Sequence, residues 1–196
     1  MNDIHIRAAL RRQLLYQYRT DPDTTIIEEL GVQHGASRID LAVVNGVLHG
    51  YELKSDKDTL TRLSEQASAY SAVFDLVTLV VSERHVRRAS EVTPDWWGIK
   101  VARMESGYLS FHDLKLPMNN PSADPLSVAT LLWRDEALSF LNELGGAKGM
   151  RSKSKTHIYL KLLERADLDR LRDRVRRCLK GRQAWRSAAT RLSCGD

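Results

Sequence analysis

The stretch Ile39-Asp40-Leu41-Ala42-Val43-Val44-Asn45-Gly46-Val47-Leu48-His49-Gly50-Tyr51-Glu52-Leu53-Lys54 decides the fold. Two apolar runs flank Asn45-Gly46, a dipeptide that favours tight hairpin turns, so the stretch reads as two antiparallel strands. From about Lys57 to Phe74 the pattern turns helical, with Leu60, Leu63, Ala67 and Tyr70 on one stripe. Leu76 to Val81 is an almost continuous apolar run, as expected of a strand buried on both faces. A strand, helix, strand succession of this length implies a right-handed crossover and a parallel strand pair.

Working outward, Ile6, Leu10 and Leu14 recur at helical spacing behind a capping Asn2 or Asp3, and Thr20-Asp21-Pro22-Asp23 ends that helix. Arg7, Arg11 and Arg12 are expected on its outer side. Thr24 to Leu30 reads as a strand carrying Glu28-Glu29. Downstream, a short helix over 83–92 precedes two strands, Ile99 to Met104 and Tyr108 to Leu114, joined at Ser106-Gly107. Prolines and asparagines mark 117–124 as a linker. Beyond it the pattern is all helical: 125–144 as one helix stopped by Gly145-Gly146, then about 156–165 and 168–180. Arginines alternate with the Leu168, Leu171, Val175, Leu179 stripe and are expected to face outward.

The chain's 196 residues are 42% hydrophobic and 28% charged, which excludes collagen-like and wholly disordered classes. No apolar run reaches the ~18 residues that cross a bilayer, and Met1-Asn2-Asp3 lacks a signal-peptide profile. Cys178 and Cys194 are too few for a disulfide framework or a cysteine zinc site, so a cytoplasmic protein is expected. The net charge of +5 is uneven: residues 1–120 hold 14 basic and 16 acidic side chains, whereas 148–191 hold 15 and 4. Such asymmetry points to a polyanionic partner.

Four features stand in order in the first 70 residues: Glu28-Glu29, Asp40 at the head of an apolar strand, Glu52-Leu53-Lys54, and Gln66-x-x-x-Tyr70. Glu52 and Lys54 are two apart on a strand and share a face. Gln66 and Tyr70 are one helical turn apart. Carboxylates suit a hard divalent cation such as Mg²⁺, which activates water and stabilises charge on phosphorus oxygens, and a neighbouring ammonium assists the same step. Hairpin parity matters. A two-residue loop would set Asp40 and Glu52 on opposite faces. A three-residue loop Val44-Asn45-Gly46 with left-handed Gly46 would pair Val43 with Val47 and Asp40 with Gly50, on the face of Glu52; that loop, or another one-residue bulge in this hairpin, is expected.

These residues resemble the PD-(D/E)xK nuclease superfamily over about residues 1–115. Asp40 matches its aspartate, Glu52 and Lys54 its E-x-K, and Gln66 with Tyr70 the Q-x-x-x-Y extension of RecB-like members, while Ile39 replaces the naming proline. Glu29, or else Glu28, matches the additional acidic residue, with Glu29 favoured by the family pattern and the two expected on opposite faces of their strand. Small stand-alone bacterial members share Gly35, Arg38, the Asn45-Gly46 turn and Ser55-Asp56. The resemblance implies an α/β, restriction-endonuclease-like core, a mixed central sheet flanked by helices, over 1–116, followed by a basic helical extension over 125–196. It implies a Mg²⁺-dependent nuclease, with Mn²⁺ as substitute, acting on nucleic acid and on DNA rather than RNA. Asp40, Glu52 and Glu29 would hold metal, Lys54 would position the attacking water, and Gln66 would steady the lysine or the substrate. Arg38, Tyr70, Lys148, Arg151, Lys153 and Lys155 are candidate nucleic-acid contacts. His34 reads as a polar loop residue and Trp96-Trp97 as a buried plug. Many members dimerise, so a homodimer is an expectation. A catalytically silent module that binds nucleic acid or a protein is the alternative.

Overall fold

The structure is a computed structural model and describes residues 2–193, with side chains described through residue 182. The chain divides into two compact units at Ala123/Asp124. Among the described residues no helix is long and apolar enough to cross a membrane.

The first unit is a six-stranded mixed sheet in sequential order, flanked by helices. Helix α1 (Asp3–Gln17) is capped by the Asn2 side chain, which accepts from the His5 amide at 3.1 Å. Its Ile6, Leu10 and Leu14 pack on Leu41, Val43, Tyr51, Leu53, Val80 and Ala102. Each such burial stabilises by roughly 2 kcal/mol. Strands β1 (Thr25–Val32), β2 (Ser37–Val44) and β3 (Leu48–Lys54) form an antiparallel meander. Helix α2 (Leu63–Ser71) leads to β4 (Leu76–Ser82), parallel to β3, and α3 (Val86–Val92) leads to β5 (Gly98–Glu105), parallel to β4. Strand β6 (Tyr108–Lys115) closes the order, its turn running through Ser106 and Gly107, both at positive φ (51° and 84°).

Three local readings need correction. The hairpin loop has the expected three residues, and so the expected parity, but lies one residue further on, at Asn45-Gly46-Val47: Val44 pairs with Leu48, and Gly46 is not left-handed. The Asn45 side chain sets this loop by accepting from the Val47 amide (3.1 Å) and donating to Thr24 Oγ1 (3.2 Å). Asp40 therefore stands level with Glu52 in the register rather than with Gly50. Gly50 instead faces Ala42, and a Cβ there would meet Ile39 Cδ1 at 2.3 Å. Helix α2 starts at Leu63, not near Lys57, because the Asp58 carboxylate accepts from both the amide and the hydroxyl of Ser55 (2.7 and 2.5 Å). The first residues of the expected linker are fastened to this unit: the Met118 amide donates to Trp96 O, and Asn120 bonds Ser71 O, Phe74 O and Asp75 O.

The second unit is all helical. The single helix expected over 125–144 is two, α4 (Pro125–Ala129) and α5 (Arg134–Glu143), because the Trp133 amide donates to Glu136 Oε2 (2.7 Å) and starts a new helix. Gly145 follows α5 at φ +69°. Helices α6 (Lys155–Leu163) and α7 (Leu168–Ser193) complete the unit, α7 outrunning its expected end and burying Leu171, Val175 and Leu179. The α7 arginines do not simply face outward. Arg174 pairs with Glu143, Arg176 with Asp173, Arg172 with Asp169 and Arg182 with Glu136. Arg174 also lies over the Phe140 ring and Arg182 over Trp133.

Candidate functional site

At the C-terminal end of β3 a cavity of about 690 Å³ opens, lined among others by Arg7, Glu29, Arg38, Asp40, Glu52, Lys54 and Gln66. The ladder between β2 and β3 stops short of it, at Leu41 opposite Tyr51. Beyond that point the Leu53 amide donates not to β2 backbone but to Asp40 Oδ2, at 2.8 Å. Asp40 thus fills the gap between splayed strands. Strand alternation breaks here as well. Leu41 packs with the α1 cluster, whereas Ile39, two residues earlier, reaches the space over Gly50 beside Phe74. Glu29, the position facing Asp40 on β1, has φ +54° and drops out of the pairing.

Glu52 is 2% exposed, and each of its oxygens is held. Oε1 accepts from Lys54 Nζ and Gln66 Nε2, both at 2.7 Å, and Oε2 accepts from the Tyr70 hydroxyl at 2.9 Å. The expected shared face of Glu52 and Lys54 on β3, and of Gln66 and Tyr70 on α2, is what allows this convergence. Gln66 steadies the carboxylate rather than the lysine. Tyr70, expected to touch nucleic acid, is fully buried between Phe74 and Trp97, so it cannot. Its hydroxyl lies within reach of both Glu52 and Arg38 O (2.8 Å), and burial beside the Glu52 charge pushes its pKa up. Trp96 and Trp97 are buried too.

Asp40 and Glu52 share the cavity and repel one another. Burial, with the charge of Glu52 as a second cause, pushes the Asp40 carboxyl up to about 7, against the Leu53 amide and Arg7, which act the other way. Glu29 does not join the two carboxylates. Its carboxylate is bound by Arg7 (2.8 Å) and Arg38 (3.3 Å), which hold it below the usual carboxylate range. The left-handed backbone at Glu29 also overturns the expected alternation: Glu28 and Glu29 both reach α1, through Arg11 (2.7 Å) and Arg7. Among the described residues no cluster of three or more His, Cys, Asp or Glu side chains stands ready for a metal. Two carboxylates with mutual repulsion, beside the buried and unpartnered Gln66 Oε1, nevertheless form a donor set that fits Mg²⁺, which keeps several waters of its own.

Arg7 was not foreseen, being read as an outward decoration of α1. One guanidinium spans three elements, Nη1 on Glu29 and Nη2 on both Asp3 (3.0 Å) and Asp40 (2.6 Å). Only an i, i+4 Asp3–Arg7 pair and the helix's position before the strands hinted at it. Arg38 is exposed at the rim beside Glu29. In the second unit Lys148, Arg151, Lys153 and Lys155 are exposed, and the Arg134 guanidinium shapes their loop by donating to Arg151 O (2.6 Å) and Lys153 O (3.0 Å).

A solved protein of unknown function from Silicibacter pomeroyi is similar at a TM-score of 0.43 and 16% identity, covering 74% of this chain and 92% of that one. Protein cII of Enterobacteria phage P4 is 38% identical over 77 residues, which are 39% of this chain and 29% of that protein. The chain thus aligns with less than a third of that relative's length. The family described as bacteriophage P4 protein cII matches residues 2–191, and the chain belongs to that family.

Proposed function

We propose that the chain is a metal-dependent nuclease of the PD-(D/E)xK kind, with a restriction-endonuclease-like core, that hydrolyses phosphodiester bonds of nucleic acid, DNA rather than RNA. The observation that carries this reading is the convergence of Asp40, Glu52 and Lys54 on one cavity, with Gln66 and Tyr70 fixing Glu52. Asp40 and Glu52 would hold the cation, which when bound activates water and offsets charge on the phosphate. The Leu53 amide and the Tyr70 hydroxyl orient the two carboxylates. Lys54 presents a positive charge beside Glu52, where it can hold an attacking water or a phosphate oxygen. The basic loop of Lys148, Arg151, Lys153 and Lys155 would contact phosphates, which position a duplex without reading its sequence.

One observation favours a silent nucleic-acid-binding module instead. All four oxygens of Asp40 and Glu52 already accept hydrogen bonds from protein donors. Cleavage assays on single- and double-stranded DNA and on RNA, with Mg²⁺, Mn²⁺ or EDTA, separate the two. Asp40→Ala, Glu52→Ala and Lys54→Ala should each lower metal-dependent cleavage by at least ~100-fold, while DNA binding survives. Binding by the wild type without any cleavage would select the silent module.

A further inference from the structure

We propose that Arg7 is a resident counter-ion of Asp40 that competes with the divalent cation and so sets the affinity of the site for metal. The proposal rests on the nuclease reading, since it presumes a cation at Asp40. Arg7 Nη2 lies 2.6 Å from Asp40 Oδ1, and the other carboxylate oxygen is taken by the Leu53 amide. A cation approaching Oδ1 therefore meets a second positive charge on the same atom. Two like charges sharing one ligand oxygen repel strongly in a partly buried site.

Release of Asp40 is nevertheless built into the contacts of Arg7. Its Nη1 bonds Glu29, and its Nη2 is shared between Asp40 and Asp3. Leaving Asp40 still leaves the guanidinium two carboxylates. The buried Arg7 Nε has no hydrogen-bond partner, so the present arrangement is not the guanidinium's best satisfied one. Leu53, by contrast, donates a neutral amide, and Lys54 and Gln66 act on Glu52 rather than on Asp40. Among these donors Arg7 is the charged group that a metal at Asp40 must displace.

Manganese(II) binding to the full chain, followed by the loss of the free-ion electron paramagnetic signal and by calorimetry, tests this without reference to cleavage. Arg7→Gln should bind Mn²⁺ roughly tenfold or more tightly than wild type, the scale of one charge-assisted hydrogen bond no longer opposing it. Asp40→Asn should lose binding in both backgrounds. If Arg7→Gln binds no more tightly than a wild type whose binding needs Asp40, Arg7 merely holds the carboxylate and the proposal is overturned. If neither wild type nor Arg7→Gln binds Mn²⁺ at millimolar concentration, the nuclease reading fails with it. Should Arg7→Gln not fold, the guanidinium resonance of Arg7 in the wild type gives the answer: it shifts on adding Mg²⁺ if Arg7 is displaced. An unchanged resonance in Mg²⁺-bound protein overturns the proposal.

Discussion

Replacing Lys54 by methionine removes the ammonium 2.7 Å from Glu52 Oε1 while keeping a stem of similar length. The two side chains are 10% and 3% exposed, so Glu52 is left largely out of bulk solvent when the ammonium is lost. Glu52 keeps two neutral donors, the Gln66 amide and the Tyr70 hydroxyl. Breaking a buried pair from one side costs about 3–5 kcal/mol, and those donors place this case at the lower end, near ~3 kcal/mol. The double variant Glu52→Leu, Lys54→Met buries no charge. It orphans the Gln66 amide, while the Tyr70 hydroxyl retains Arg38 O, so its expected cost is only about 1 kcal/mol. Native-state hydrogen exchange at the β3 and β4 amides reads the opening of the first unit without interference from the second. The single variant should lose protection and the double variant should recover most of it. Wild-type protection in Lys54→Met, or a double variant less stable than the single, would refute the buried-pair argument. A double variant that is well folded yet does not cleave would show a pair maintained for chemistry at a cost in stability.

Two further outcomes follow from charges away from that pair. His49 is buried against Thr78 and Tyr51, and burial, with Lys100 as the lesser cause, lowers its pKa to about 4. The unfolded chain takes up that proton near pH 6.5 and the folded one only near 4, so stability falls as pH drops through this window, by roughly 3 kcal/mol in all, and levels off below it. Urea midpoints of wild type and His49→Gln at pH 7.5, 5.5 and 4.5 check this: a difference between the two proteins that is constant with pH contradicts it. In DNA binding followed by anisotropy at several salt concentrations, Lys153→Ala and Lys155→Ala should each reduce the slope of log K against log salt by about 1. Arg174→Ala and Arg176→Ala should leave the slope alone, since Glu143 and Asp173 already neutralise those arginines. Equal slopes for all four variants would remove the loop from the DNA surface.

Much of the first unit was legible because its signals are local. The Asn45-Gly46 punctuation, the apolar run over β4 and the Ile6, Leu10, Leu14 spacing each report the period of one element. Misreadings arose where a side chain bonded its own backbone, as Asp58 does ahead of α2 and Glu136 ahead of α5. The basic excess over residues 148–191 likewise hides which arginines are paired. Charge counts carry no information on pairing, and most of the described α7 arginines are matched to acids while no ion pair among the described residues involves Lys148, Arg151, Lys153 or Lys155.

The candidate site divides in the same way. That Glu52 and Lys54 stand side by side, and that Gln66 and Tyr70 can reach one target, follows from the repeat of a strand and of a helix, so the sequence alone determined it. That Asp40 belongs on the face of Glu52 followed from the parity of the hairpin, but that Asp40 caps the Leu53 amide where the ladder stops, that Glu29 turns away to α1, and that Arg7 enters the cavity were decided only in the tertiary structure. Each depends on a broken register or on the docking of one element upon another. A left-handed residue in β1 or a β3 amide that donates to a side chain instead of the β2 backbone arises from packing between distant segments, and no spacing along the chain encodes it.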